Sequence, residues 1–403
     1  MPQTDNGVAR TVAAGFTALL VAFGVAYGFG VFLPAIAAEF QSGAGQTAGL
    51  FSATAFVFFC LGALTGPLAE RHGVRPLLIA AALLLALGLF GTSIAPNLLA
   101  AYLTYGVGTG LGVGCVLVPV VGHVGAIAPP PRRALAVGLV VTGIGLGTVF
   151  GAPLAQWLIG TLGWRTAQQL LAVVVLVTLL ACSVLVVERP ATSGRDRPRY
   201  PREHIRSARF GWLWASTVLA STVLYTPFAV LPTQAATLGI SPAIAASLIG
   251  LIGLVSVVGR LVIARVRRPQ TLLITHTAAV AAAAVATLLW AHASSVSGLA
   301  AFVVLFGLGY GAFIALLPLV LAALFATDRL SSLLGLQYVA SGVGAVLGPT
   351  GTGLIAEHTG TWTPALWGLV AVGVAACLVL LVTVRLARPQ LPASGHHNLQ
   401  EVP

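Results

Sequence analysis

Of the twenty arginines in this chain, which has no lysine, only Arg260, in GLIGLVSVVGRLVIARV (250–266), lies inside an apolar span. No Asp or Glu shares that interior with it. A guanidinium does not shed its proton and is costly at bilayer depth, by a few kcal/mol or more. Such a side chain belongs against a protein cavity, where an anion that arrives and departs is the simplest partner. Ser256 lies four residues earlier, on the same helix face. A guanidinium beside a hydroxyl can hold one carboxylate through two parallel hydrogen bonds. Two other readings stand beside this one. Arg260 can snorkel toward the interface near Arg265, or it can serve in a latch between halves of the molecule, because it aligns with Pro67 in the repeat described below.

Tyr27, Tyr225, Tyr310 and Tyr338 fall mid-span and are candidates for a polar rim. Each phenol offers one hydrogen bond and an apolar face for an alkyl tail, although packing explains any one of them equally well. Tyr310, between Gly309 and Gly311, is the first choice. Ser341 follows Tyr338 by one turn, and its hydroxyl does not titrate near neutral pH. One fixed charge in an apolar lining suits a single negative charge on a modest hydrophobic body. A dicarboxylate would leave one carboxylate unpaired in low dielectric, at several kcal/mol.

The elements that must position these residues are membrane helices. The chain is 58% hydrophobic and 7% charged, and crossing a ~30 Å hydrocarbon core takes about 20 apolar residues. Twelve such runs are predicted, at 11–36, 48–69, 76–94, 98–126, 134–162, 168–187, 210–238, 242–264, 271–292, 297–325, 332–356 and 364–384. The first resembles its neighbours and lacks a cleavage site, so it reads as a span and not a signal peptide. With the N-terminus inside, eighteen of the twenty arginines fall in cytoplasmic segments, leaving Arg165 outside and Arg260 within. That bias predicts cytoplasmic N- and C-termini. It also assigns the net charge of +11 to topology and contact with the lipid bilayer, with no nucleic acid as partner. Cys60, Cys115, Cys182 and Cys377 sit apart within spans, without metal-ligand spacing. No metal and no cofactor is expected. An intramembrane enzyme is not expected either, because HExxH, paired carboxylates and a Ser/His pair at helical spacing are all missing from the spans.

The two halves repeat in order. YGVGTGLGVG (105–114) is echoed by FGLGYGAF (306–313), RRALAVGLVVTGIGLGTVFGAP (132–153) by DRLSSLLGLQYVASGVGAVLGP (328–349), and GPLAERHGVRP (66–76) by GRLVIARVRRP (259–269). Six spans per half is the signature of a two-bundle transporter with its site between the halves. The domains expected are a first bundle (1–187), a basic cytoplasmic linker (188–209), a second bundle (210–387) and a disordered cytoplasmic tail (388–403). The fold class is an all-α integral membrane protein of twelve transmembrane helices in two pseudo-symmetric six-helix bundles.

Gly66-Pro-Leu-Ala-Glu70-Arg71-His-Gly73-Val-Arg75 resembles the signature loop of the major facilitator superfamily, G-x-x-x-D/E-R-x-G-x-R/K. In that family the loop is conformational. Gly73 allows the tight turn, and Glu70, Arg71 and Arg75 are expected to form a charge latch between the bundles. Arg132-Arg133-Ala-Leu-Ala-Val-Gly138 is similar to the start of the fifth helix in the monocarboxylate porters. Tyr225-Thr-Pro227 through Ser241 and Leu330-Ser-Ser-Leu-Leu-Gly335 through Pro349 resemble their seventh and eleventh helices. The likeness to that branch, and to the related oxalate–formate exchangers, runs across nearly the whole chain. It implies that the eighth-helix arginine binds substrate. Three departures matter. Ser256 stands where animal porters carry an aspartate, Ala26-Tyr27-Gly28 stands in place of a first-helix lysine, and the eleventh helix has no lysine. The usual proton-coupling group is therefore missing.

These features predict a secondary active transporter of small organic monoanions, such as lactate, pyruvate or related acids. It would work by alternating access as a monomer in a bacterial inner membrane, with a proton as candidate co-substrate. The alternatives are a hydrophobic-compound or multidrug exporter of the same superfamily and a non-transporting membrane sensor. The second is disfavoured because the linker and tails are too short for an output domain.

Overall fold

The computed structural model describes residues 5–188, 202–263, 269–325 and 330–387. Among them, twelve helices are long and apolar enough to cross a membrane: α1 (Asn6–Phe40), α2 (Ala44–His72), α3 (Arg75–Ser93), α4 (Leu98–Ile127), α5 (Leu135–Leu162), α6 (Trp164–Leu185), α7 (Ala208–Thr237), α8 (Pro242–Ile263), α9 (Thr271–His292), α10 (Val296–Leu324), α11 (Ser332–Thr359) and α12 (Thr363–Leu386). Most of the expected linker (189–201) and the tail (388–403) lie outside the described residues.

Helices dominate because a bilayer offers no partner for a free N–H or C=O, so each spanning segment must satisfy its own backbone. Several ends carry their own caps. The side chains of Asn97, Ser207 and Ser295 accept from backbone N–H groups in the first turns of α4, α7 and α10, each a contribution of about 1 kcal/mol. Two spans are irregular. α1 tightens into a 3₁₀ turn at Phe29–Phe32 before resuming at Leu33. α4 is π-helical over Tyr102–Thr109, and its Tyr105 hydroxyl donates to the Val25 carbonyl of α1 at 3.2 Å.

The first six spans pack together, chiefly α1 on α5 and α3 on α6. The last six do the same through α7–α11, α8–α10, α9–α10 and α7–α12. Glycine lets backbones meet where lipid supplies no hydrophobic drive. Gly24 and Gly28 of α1 lie against Gly147 and Gly151 of α5. The bundles join chiefly along two seams, α2 with α11 and α5 with α8, and α1 also meets α7.

A polar clasp ties the first bundle at one face. Glu39 Oε1 accepts from Arg165 Nη2 at 2.6 Å and from Nε at 3.0 Å, and Glu39 Oε2 accepts from Trp164 Nε1 at 2.7 Å. The same guanidinium donates to the carbonyls of Ser93 and Ala95 and lies 4.6 Å from the centre of the Trp164 ring. The opposite face of the molecule carries Arg71, Arg75, Arg132, Arg133 and Arg385 and is called the arginine-rich face below.

Candidate functional site

Arg260 occupies the last turn of α8, and its guanidinium crosses to the other bundle. Nη1 donates to the Val141 carbonyl of α5 at 2.9 Å. Nε and Nη2 are buried and have no hydrogen-bond partner. These two N–H groups point the same way along one edge of the planar group, the edge that grips a carboxylate side-on. A buried charged donor without an acceptor is expensive, which makes this edge the candidate site for an anion.

Ser256 lies on the same side of α8. A Cβ placed on Gly145 of α5 would come 3.5 Å from its Oγ. Ser256 Oγ donates to the Gly253 carbonyl of its own helix at 2.7 Å, the usual fate of a helical serine. Its proton is committed there, which leaves the side-on edge of Arg260 as the free donor pair.

Three of the four tyrosines converge on this charge. Tyr27, Tyr225 and Tyr310 are all within electrostatic reach of Arg260 and are buried. They belong to one network of rings contributed by both bundles. Tyr27 stacks on Phe228 at 4.5 Å, and Tyr310 meets Phe228 at 5.2 Å and Tyr225 at 6.2 Å. Phe59 of α2 touches both Tyr225 (5.2 Å) and Tyr338 (5.9 Å), which brings Tyr338 into the network. The Tyr310 hydroxyl is buried beside that of Tyr27, and the side-chain amide of Gln337 beside Tyr338 is buried without a partner among the described residues. Ser341 is buried and makes no side-chain hydrogen bond among the described residues. Sequence reasoning overlooked the wall formed by Phe51, Phe58, Phe59 and Phe228. Aromatic residues recurring within two spans were the available signal.

The bundles are in contact at the face away from the arginines. A Cβ on Gly353 of α11 would fall 2.6 Å from the Cα of Gly45 in α2. Thr350 Oγ1 donates to Ser52 Oγ at 2.9 Å, and Glu357 Oε2 accepts from the Gly45 N–H at 3.4 Å, over the positive end of α2. A cavity of ≈ 500 Å³ opens at this face, lined by Gln234, Trp290, Glu357 and Trp362 among others, and it is separate from the Arg260 cluster.

The expected latch residues sit at the arginine-rich face. Gly73 takes a positive φ of 85°, as its turn requires, and Gly66 lies against Val118 of α4. Arg75 does not reach the second bundle. Its Nε and Nη2 donate to the Ser183 and Val186 carbonyls at the end of α6, at 2.9 and 3.3 Å, within its own half. The Glu188 carboxylate in turn accepts from the Val74 and Arg75 N–H groups. A guanidinium-to-carbonyl cap of this kind satisfies a helix end. Glu70, Arg71, Arg132 and Arg133 are exposed.

Twelve spans in two six-helix bundles, meeting around a buried cation and an aromatic wall, define the class, a polytopic membrane carrier. The sequence profile of the Major Facilitator Superfamily matches residues 15–303 and again 265–402, and the chain belongs to that superfamily. It is 30% identical over 379 residues to monocarboxylate transporter 13 of Bos taurus, covering 90% of this chain and 85% of that one. It is 25% identical over 388 residues to MFS-type transporter 1 of Ophiocordyceps sp. (strain BCC 1869), covering 94% and 86%. Its fold matches a bacterial homologue of the human lysosomal transporter Spinster, solved inward-facing and unoccupied. The TM-score is 0.75 at 16% identity, over 98% of this chain and 100% of that one. The protein is a secondary transporter and not an enzyme.

Proposed function

We propose that this protein carries small organic monocarboxylates across a bacterial inner membrane, with both termini in the cytoplasm. The observation that carries the reading is the free Nε/Nη2 edge of Arg260, buried beside Tyr27, Tyr225 and Tyr310. One edge binds one carboxylate, and the rings accept the hydrocarbon remainder. The likeness to monocarboxylate transporters supports the same substrate class. Residues 1–187 and 210–387 move as the two rigid halves, and the arginine-rich loop of Glu70, Arg71 and Arg75 is remade against the second half when that face closes. The protein works as a monomer, and a proton travels with the substrate or through water, since the described residues of the site include no carboxylate.

Uptake of radiolabelled lactate into proteoliposomes, with a panel of monoanions as competitors, tests this directly. Saturable uptake displaced by monocarboxylates and lost in Arg260→Gln is the expected result. Uptake of lipophilic cations that survives Arg260→Gln, with no competition by carboxylates, would instead place the protein among exporters of hydrophobic compounds.

A further inference from the structure

Arg260 has been weighed as a substrate anchor or as a latch between bundles. The geometry points to a division of labour within the one side chain. We infer that the Val141 carbonyl of α5 is the positioning partner of the Arg260 fork, so that the grip on the anion depends on how the two bundles are docked. This rests on the reading of Arg260 as the anion site and adds a partner from the opposite bundle.

The Val141 carbonyl lies inside a regular helix, where one lone pair serves the N–H four residues on. A carbonyl oxygen has a second lone pair, and Arg260 Nη1 takes it at 2.9 Å. The approach is possible because α5 and α8 meet backbone to backbone here. A Cβ on Gly145 would fall 2.5 Å from Val257 Cγ2, and one on Gly253 would fall 2.6 Å from the Gly145 carbonyl. The bond uses the one nitrogen that the side-on edge does not need. Nε and Nη2 remain buried and unpartnered, with the plane of the group held by its far end. An arginine has several rotatable bonds, and fixing one nitrogen removes ordering that the anion would otherwise have to impose.

The tether crosses from the second bundle to the first. Separating α5 from α8 withdraws the carbonyl and frees the guanidinium to swing, so affinity falls as the seam opens. By reciprocity, an anion on the fork favours the docked seam. Binding and bundle position are thereby coupled through a single main-chain oxygen.

The test uses Gly145→Ala, which spaces α8 from α5 without altering Arg260 or any ring, and Arg260→Met, which keeps an apolar stem suited to a membrane helix. Both are made in a background carrying Gly138→Cys, because a Cβ at 138 meets nothing within 4 Å. Thiol labelling at 138 is followed in purified transporter with and without lactate, beside the KM for lactate in proteoliposomes. Loss of one charge-assisted hydrogen bond predicts a KM about tenfold higher in Gly145→Ala. The same substitution should change the substrate-free labelling rate, as should Arg260→Met, and should abolish the change that lactate causes in the parent. Equal labelling and equal KM in the parent and Gly145→Ala would overturn the tether. Altered substrate-free labelling in both variants, with no lactate response in the parent, would uphold the tether and sink the monocarboxylate reading.

Discussion

A single methyl group at Gly353 should hold the transporter open at the face that carries Glu357. In the described state α11 lies on α2 so closely that the new Cβ would sit 2.6 Å from Gly45 Cα, 2.8 Å from Gly45 N and 2.9 Å from the Ala44 carbonyl carbon. All three are backbone atoms, so no side chain can rotate away. Comfortable contact between carbons begins near 3.5 Å, and α11 must therefore retreat by about 1 Å. Overpacking of this kind costs about 1–3 kcal/mol. Alanine favours a helix interior over glycine by about 1 kcal/mol, so neither bundle is weakened on its own account. The penalty falls on the closed state alone, and the balance between states should move by roughly 5- to 150-fold. The assay is maleimide labelling of Thr350→Cys, which lies at the seam opposite Ser52, with the four native cysteines replaced by alanine. Labelling should accelerate in Gly353→Ala, and uptake should fall because the cycle requires this face to close. Unchanged labelling together with unchanged uptake would refute the argument that this glycine contact is what seals the face.

Two further outcomes follow from hydrogen bonds already committed. Ser256→Ala should leave the KM for a monocarboxylate within about twofold, since the hydroxyl donates to Gly253 and not to a ligand; a rise of about tenfold in uptake assays would return the serine to the binding site. Arg165→Ala should lower stability in detergent thermal melts by about 2 kcal/mol, because the exposed ion pair with Glu39 is worth about 0–1 kcal/mol and two backbone carbonyls lose a charged donor. Glu39→Gln, which still accepts hydrogen bonds, should cost roughly half of that; melting temperatures equal to wild type in both would remove the clasp from the list of stabilising contacts.

Much of this architecture was legible because a bilayer imposes a strict code. Each crossing needs a long apolar run, so hydropathy reads twelve helices, and Arg260 stands out as the only arginine inside the apolar runs themselves. What hydropathy does not register is backbone geometry. The segment Gly28-Phe29-Gly30 reads as uninterrupted helix, yet it tightens into a 3₁₀ turn where Gly30 packs on the Phe228 carbonyl. The partners of charged and hydroxyl groups were equally hidden when they proved to be main-chain atoms. The hydroxyl proton of Ser256, four residues before Arg260, goes to the carbonyl three residues back. Arg75 was assigned to the second bundle by motif, but the open end of α6 lay closer. Val141 carries no chemical signature at all, because its contribution is a peptide oxygen that any residue would supply.

The seams between the bundles are faced in places with bare backbone on both sides, Gly45 with Gly353 and Gly145 with Gly253. Surfaces of this kind have no interlocked side chains to disengage and no rotamers to reset as they part. They are smooth, and their adhesion is shallow, since few dispersion contacts extend beyond the peptide itself. A carrier built on such bearings changes state without climbing out of a deep well on either side. A difference of a few kcal/mol in a substrate's affinity for the two states is then of the size that shifts the balance between them.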